Sequence, residues 1–338
     1  MRTVFLGSGP FAIPILEAVA RHPRLELVAV VTAPPRPAGR GHELRPSPVA
    51  GWVEGRRGAQ GRLPFTLLEP PRLGAPEAVA TLRSLEPELI VLADYGQIVP
   101  AELLEVPRHG ALNLHPSLLP RHRGASPIPA TILAGDRETG VSLIRMDAGV
   151  DTGPIVALSR QRLRGDETAP ELEGLLARKA AQLLGRSLKG WLEGRLAERP
   201  QPSEGATVTR PFNREDGRID PQRSAEELAR QVRAFQPWPG SFIETGFDRL
   251  IVLAAESAAL PEEIAFLAPG AAATDQPPVP TPPGTFVPDG EGIALVASDG
   301  LLRLLEVQPS GGRRMTGAEL RRGRPGLVGS RALPAALG

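Results

Sequence analysis

The sequence predicts an α/β fold in two parts: a doubly wound, mostly parallel sheet domain, then a small β-rich domain. Three observations predict it. Through the first half, short Val, Ile, Leu and Phe runs alternate with segments of helical apolar spacing, as successive βαβ units require. Between Glu198 and Phe212 that pattern dissolves into Pro-, Ser- and Gly-rich sequence. Beyond it, short apolar runs are punctuated by turn residues, the pattern of a small barrel or sandwich.

Taken in order, Thr3–Leu6, Leu25–Val31, Leu63–Leu67 and Leu89–Ala93 read as strands buried on both faces, because parallel strands covered by helices need continuous apolar runs. Pro10–Arg21 and Glu77–Leu85 read as the helices between them. Ala111–Leu114 and Gly140–Met146 predict further strands, and Ala169–Leu192 a long amphipathic helix with Leu172, Leu176, Leu183 and Leu188 near one face. This is a Rossmann-like arrangement. In the second part, Ser224 followed by Glu227 opens a helix over Ser224–Ala234 with a capping box. Strands are expected at Phe242–Thr245, Leu250–Ala254, Gly292–Ala297 and Leu301–Val307, the last two joined by a turn at Ser298-Asp299-Gly300. Pro269–Pro283 reads as a surface loop. The resulting boundaries are 1–193 for the first domain, 194–212 for a linker and 213–338 for the second domain.

Composition narrows the chemistry. The chain has 338 residues, 41% of them hydrophobic, and no cysteine. Disulfides, thiolate catalysis and Cys-ligated metals are therefore excluded. The opening MRTVFLGSG is too short an apolar run for a signal peptide, and no stretch reaches the length of a membrane span, so we expect a cytoplasmic protein that contacts no membrane; a monomer is the expected state. Net charge is +1, so any RNA contact must rest on local patches.

Two N-terminal features invite function. Gly7-Ser8-Gly9-Pro10-Phe11-Ala12 fits a GxGxxA dinucleotide fingerprint after the first strand. A nicotinamide enzyme also needs an acidic residue ending the second strand, and Val30-Val31-Thr32-Ala33-Pro34 has none. We therefore read the glycines as a turn that brings strand and helix together. Ala33–Val49 is long for a βα connection and carries Arg36, Arg40, Arg45 and His42 against a single acid, Glu43. It reads either as a solvated loop or as a mobile arm that reaches phosphates.

The densest signal is ALNLHPSLLPRHRG at 111–124, followed by MDAGVDTG at 146–153. Residues two apart on a strand share a face, so Asn113 and His115 point the same way, and Pro116 ends the strand beside them. Asp151 lies in a turn bracketed by Gly149 and Gly153. An amide, an imidazole and a carboxylate meeting at one point can manage acyl transfer: two donors for a developing oxyanion, one acid to orient the imidazole and assist proton movement. Each residue alone also has a structural reading, the pair as a satisfied strand pair and Asp151 as a turn former. Asp147 and His109 are read as structural, and His122 as a loop residue. The spacings of His109, His115 and His122 match no metal pattern. Ser117 with His115 and Asp151 permits a serine hydrolase, but the GxSxG elbow is missing.

The run NLHPSLLPRHRG…TGVSLIRMDAGVDTGPI resembles the signature of the 10-formyltetrahydrofolate-dependent formyltransferases: Asn-x-His, Ser-Leu-Leu-Pro, Arg-Gly, then Met-Asp-x-Gly-x-Asp-Thr-Gly. The resemblance implies catalytic places for Asn113, His115 and Asp151. It implies a 10-formyltetrahydrofolate donor held by Ser117, Leu118, Leu119 and Pro120 and by Tyr95, Gly96, Gln97 and Ile98, with no metal. His122 departs from the pattern, which has an aromatic residue there, and Asp94 stands where a small residue precedes Tyr-Gly. Family members formylate sugar amines, glycinamide ribonucleotide or methionyl-tRNA. FLGSGPFAIPIL, PPRPAGRGHELRPSPV and FQPWPG with LLEVQPS resemble the methionyl-tRNA branch. That resemblance implies an OB-like C-terminal β-barrel and methionyl-initiator tRNA as acceptor. Arg36, Arg40 and Arg45 then contact tRNA, with Arg230, Arg233, Arg313 and Arg314 as candidates for a C-terminal tRNA face.

Overall fold

The computed structural model describes residues 1–38, 43–56, 63–265 and 281–333. It divides into two units. The first comprises residues 1–128, 137–163 and 171–210; the second comprises 129–136, 164–170 and 211–338.

In chain order the first part contains β1 (Arg2–Leu6), α1 (Ala12–Arg21), β2 (Glu26–Val31), β3 (Arg36–Ala38), β4 (Glu43–Arg45), α2 (Pro48–Glu54), β5 (Thr66–Leu68), α3 (Pro76–Ser84), β6 (Leu89–Leu92), α4 (Ala101–Leu104), β7 (Ala111–His115), β8 (Arg123–Gly124), α5 (Pro127–Leu133), β9 (Glu138–Arg145), β10 (Ile155–Arg162), α6 (Ala169–Leu192) and β11 (Val208–Thr209). Among the described residues the main sheet runs β10-β9-β7-β6-β1-β2-β5. The ladders from β5 to β7 are parallel, while β9 pairs antiparallel to both β7 and β10. β6 is buried at every position, as a strand covered on both faces must be. Gly7 packs strand against helix, a Cβ there falling 2.8 Å from the Cβ of Ala12 in α1, while Gly9 makes room for the Asp94 carboxylate. A Cβ on Gly7 would lie 2.7 Å from the Phe5 ring, and one on Gly9 would lie 1.7 Å from an Asp94 carboxylate oxygen.

The first three strand expectations hold in kind, with the third moved from Leu63–Leu67 to Thr66–Leu68. Two local corrections concern the segment 33–49. Its described parts are structured: β3 and β4 pair antiparallel, Arg36 opposite Arg45, and the end of the segment is the start of α2. That helix begins at Pro48 because the Ser47 hydroxyl accepts a hydrogen bond from Ala50 N at 3.0 Å, a Ser cap followed by Pro at the first helical position. Arg40 and His42, with Gly39 and Gly41, lie outside the described residues. The segment after α6 is tied to the first unit: Arg199 bridges Ile155, and β11 pairs parallel with β8.

The second unit contains α7 (Ala225–Ala234), β12 (Ser241–Glu244), β13 (Arg249–Ala258), α8 (Glu262–Ala265), β14 (Phe286–Asp289), β15 (Gly292–Val296), β16 (Leu301–Pro309), β17 (Met315–Thr316) and α9 (Gly317–Gly323). Its sheet runs β12-β13-β16-β15-β14 with β17 on β16, all antiparallel. The described ladders leave β12 and β14 unjoined to each other. The capping box of α7 forms as expected, Glu227 N donating to Ser224 Oγ and Ser224 N to Glu227 Oε2. The turn at 298–300 closes with Ala297 N on Gly300 O at 2.9 Å. Leu228 and Val232 of α7 pack on Leu250, Leu295, Leu302 and Val307 to form the core. Most of the Pro269–Pro283 loop, residues 269–280, lies outside the described residues.

Candidate active site

A cavity of about 620 Å³ opens at the carboxyl ends of β6 and β7, with the turn after β9 on one side. Asn113, His115 and Asp151 all line it. Asn113 and His115 are buried on β7, at 6% and 5% exposure. Asn113 Nδ2 donates to Asp151 Oδ1 at 3.0 Å, and His115 Nδ1 lies 3.4 Å from Asp151 Oδ2. The three side chains separated in sequence therefore meet.

The geometry fixes donor roles. His115 Nε2 lies 2.8 Å from the carbonyl oxygen of His122. A carbonyl only accepts, so Nε2 carries a proton in either charge state. Nδ1 is left as the nitrogen that can take or release a proton, and it faces Asp151. Asn113 has two amide hydrogens; one goes to Asp151 and the second remains for the cavity. Asp151 Oδ2 also accepts from Gly124 N at 2.8 Å.

Asp151 sits at φ +53°, a left-handed conformation that costs a side-chain-bearing residue about 1 kcal/mol. Surrounding contacts hold it there. Gly153 lets the turn close on β9, since a Cβ there would be 1.9 Å from Arg145 O. Asp147 caps the same turn, accepting from Gly149 N and from Thr152 Oγ1, which gives it the structural place expected of it. Gln201 Nε2 donates to the carbonyls of Asp151 and Gly153 at 2.8 and 2.7 Å.

Of the residues expected to hold folate, Tyr95, Gly96, Gln97 and Ile98 line the cavity. Gln97 is fixed by accepting from Leu73 N and donating to Pro70 O. Ile98 and Val150 present exposed apolar side chains at its rim, at 80% and 60%. Ser117, Leu118, Leu119 and Pro120, also expected to hold folate, are not among the residues that line it. The Ser117 hydroxyl is fully buried and donates to Arg121 O, and Leu119 packs with Ile144 and Ile155. His122, read as a loop residue, is buried at 7% with φ +57°.

Besides Asp147, two carboxylates that the sequence did not mark for the site also line the cavity, Asp94 and Glu173. Asp94 is open to water across the cavity mouth, yet the surrounding protein desolvates it and raises its pKa. Desolvation also raises Glu173, helped by the Asp94 charge and opposed by the hydrogen bond that Glu173 Oε1 accepts from Phe11 N at 3.1 Å. Burial pushes the Tyr95 hydroxyl to about 12, so it stays neutral. A carboxyl raised above its unfolded value favours folding below the unfolded pKa and loses that contribution as pH rises through the folded value. The Asp94–Glu173 pair is thus a net cost at neutral pH. Glu173→Gln keeps an acceptor for Phe11 N and removes the charge. It is expected to raise Tm at pH 7.5 by roughly 1–3 °C and to change nothing at about pH 3.5, below the ordinary carboxylate range. Thermal unfolding at the two pH values checks this.

Of the arginines expected to contact tRNA, Arg36 and Arg45 are exposed, directly opposite each other on β3 and β4, with Leu44 69% exposed between Glu43 and Arg45. The C-terminal candidates are less open. The Arg230 side chain is 18% exposed and pairs with Glu226, and burial together with Arg230 lowers the Arg233 pKa. Arg313 and Arg314 are exposed but pair with Glu319 and Glu306. No described helix is long and apolar enough to cross a membrane, and no cluster of potential metal ligands occurs among the described residues.

Comparison with known proteins bears on the whole chain. Residues 1–188 match the family model described as formyl transferase, and residues 211–325 the model of the formyl transferase C-terminal domain. The chain is 42% identical over 331 residues to the methionyl-tRNA formyltransferase of Thermus thermophilus, covering 98% of this chain and 99% of that protein. It is 40% identical to the methionyl-tRNA formyltransferase of Halorhodospira halophila, covering 96% of each. In fold it resembles the N-formyltransferase of Helicobacter canadensis, solved with folinic acid and dTDP-3-aminofucose, at TM-score 0.59 and 15% identity over 93% of this chain and 99% of that one.

Proposed function

The chain belongs to the formyl transferase family, and from that premise we infer that it moves the formyl group of 10-formyltetrahydrofolate onto the amino group of a methionine esterified to initiator tRNA. Full-length similarity to methionyl-tRNA formyltransferases supports the reaction. The meeting of Asn113, His115 and Asp151 in one cavity is the observation that carries the mechanism.

The cavity fits the donor. Its volume of about 620 Å³ falls within the usual ligand range, and an apolar rim at Ile98 and Val150 surrounds a polar floor. Bound there, the folate supplies an activated formyl carbon and a nitrogen leaving group. Tyr95, Gly96, Gln97 and Ile98 wall it. As the methionyl nitrogen bonds to the formyl carbon, negative charge grows on the formyl oxygen. The free hydrogen of Asn113 Nδ2 is positioned to stabilise it. The attacking amine must shed a proton, and His115 Nδ1 with Asp151 Oδ2 is the pair able to take it and return it to the folate nitrogen as the bond from that nitrogen to the formyl carbon breaks. The amine of a methionyl ester is less basic than an ordinary α-amino group, so a share of it is neutral near pH 7 and direct attack needs no covalent enzyme intermediate.

Arg36 and Arg45 carry the RNA contact in this reading. Like charges directly opposite across a ladder repel, and a phosphate placed between them relieves that repulsion. Arg36→Ala or Arg45→Ala is expected to raise the KM for methionyl-tRNA roughly tenfold and to lower the slope of log affinity against log salt by about one, leaving the KM for folate unchanged. Arg40, between them in sequence, is read as a third tRNA contact. We read the C-terminal sheet as a curled, OB-like barrel module, in keeping with the register shifts along β13 and β16. The enzyme works as a cytoplasmic monomer, where charged initiator tRNA is made and used.

Acceptor choice tests the function. Formyl-labelled 10-formyltetrahydrofolate is offered with methionyl-initiator tRNA, an amino-sugar nucleotide and glycinamide ribonucleotide. Label recovered as N-formylmethionyl-tRNA supports the reading; label on a sugar or glycinamide amine instead overturns it.

A further inference from the structure

We propose that Gln201 is a positioning residue for the transfer, holding Asp151 in its working place from a segment outside both signature runs. This rests on Asp151 being catalytic.

The contacts argue it atom by atom. Gln201 Oε1 accepts from Arg123 Nε at 3.0 Å and from Arg123 Nη2 at 2.8 Å. A guanidinium only donates, so the amide orientation is fixed: oxygen toward Arg123, nitrogen toward the 151–153 turn. Nε2 then gives one hydrogen to Asp151 O and the other to Gly153 O. Both donors and both acceptor sites of the amide are used, with no slack in the network. The two segments it joins are those that hold the Asp151 carboxylate. One is the turn carrying Asp151; the other is β8, whose Gly124 N donates to Oδ2. Gln201 is itself anchored on both sides in sequence, by the Arg199 bridge to Ile155 and by β11 on β8. A residue 50 positions from Asp151 and 78 from Arg123 thereby sets the distance between carboxylate and imidazole. Such control matters because displacements of about 1 Å in a reacting geometry can cost about a hundredfold in rate.

Gln201→Glu separates this role from simple anchoring. The new carboxylate still pairs with Arg123 but has no hydrogen to give the 151 and 153 carbonyls. We expect kcat to fall about 10–100-fold with the KM for both substrates within about twofold and Tm little changed. Gln201→Ala should reproduce the kcat loss if it folds. In an Asp151→Asn background either change should add almost nothing, since the effect runs through Asp151. Wild-type kcat in Gln201→Glu overturns the proposal. So does an equal fold-loss in both backgrounds. If instead Asp151→Asn alone is fully active, the assignment of Asp151 fails, which is a different result.

Discussion

Asp151→Ala is expected to lower kcat for formyl transfer by about 10²–10⁴-fold, the usual worth of a positioned proton-transfer group, while leaving the fold intact. Three losses coincide in this variant. His115 Nδ1 loses the acid 3.4 Å away, the amide of Asn113 loses the acceptor that orients it, and Gly124 N loses its partner. Stability should fall little. The removed carboxylate leaves open cavity rather than a packed core, and the extra cost of Ala over Asp at this left-handed position is about 1 kcal/mol or less. Steady-state kinetics with a melting curve on the same preparation checks both halves. A variant that unfolds would point to a purely structural Asp151, and one with near-normal turnover would remove the residue from the mechanism.

Asn113→Ala is expected to lower kcat by about 10²–10³-fold, as removal of one oxyanion donor does elsewhere, with the KM for both substrates nearly unchanged. The contrast with Arg36→Ala is informative, because a donor used only as charge develops acts on kcat, whereas a phosphate contact acts on KM. Asn113→Ala also frees Asp151 Oδ1. Its loss should therefore combine less than additively with that of Asp151→Ala. A rise in the KM for folate with kcat preserved would instead make Asn113 a ground-state binding residue.

Much of the fold was legible because burial on both faces writes itself into sequence. Leu89–Leu92 is continuous apolar residue, and it is the fully buried β6. β10 escaped because it is an edge strand: Ile155 and Val156 are buried, but the rest drifts to half-buried and exposed positions, so neither periodicity nor a hydrophobic run marks it. β3 and β4 are three residues each, too short for any pattern, and read as loop. The start of α2 could have been found from Ser47-Pro48, where a cap residue precedes a proline.

The site divides in the same way. Asn113 and His115 were legible as a pair because a strand's period of two puts them on one face. That Asp151 joins them came from the motif, not from spacing. Gln201, Glu173 and the Gly124 amide were invisible. Each acts through a contact across 27 residues or more, and none sits in a pattern that local physics demands. Arg230 misled for the opposite reason. Sequence counts it as a basic residue on a helix, whereas its side chain is largely enclosed and tied to Glu226.

The most direct test is a single-turnover measurement at saturating donor and acceptor, following labelled formyl into N-formylmethionyl-tRNA for the wild type and for Asn113→Ala, His115→Ala and Asp151→Ala, with donor affinity measured in parallel. The account predicts that each substitution slows the chemical step by about a hundredfold or more while donor affinity stays within about threefold. Transfer at wild-type speed in all three variants would contradict it.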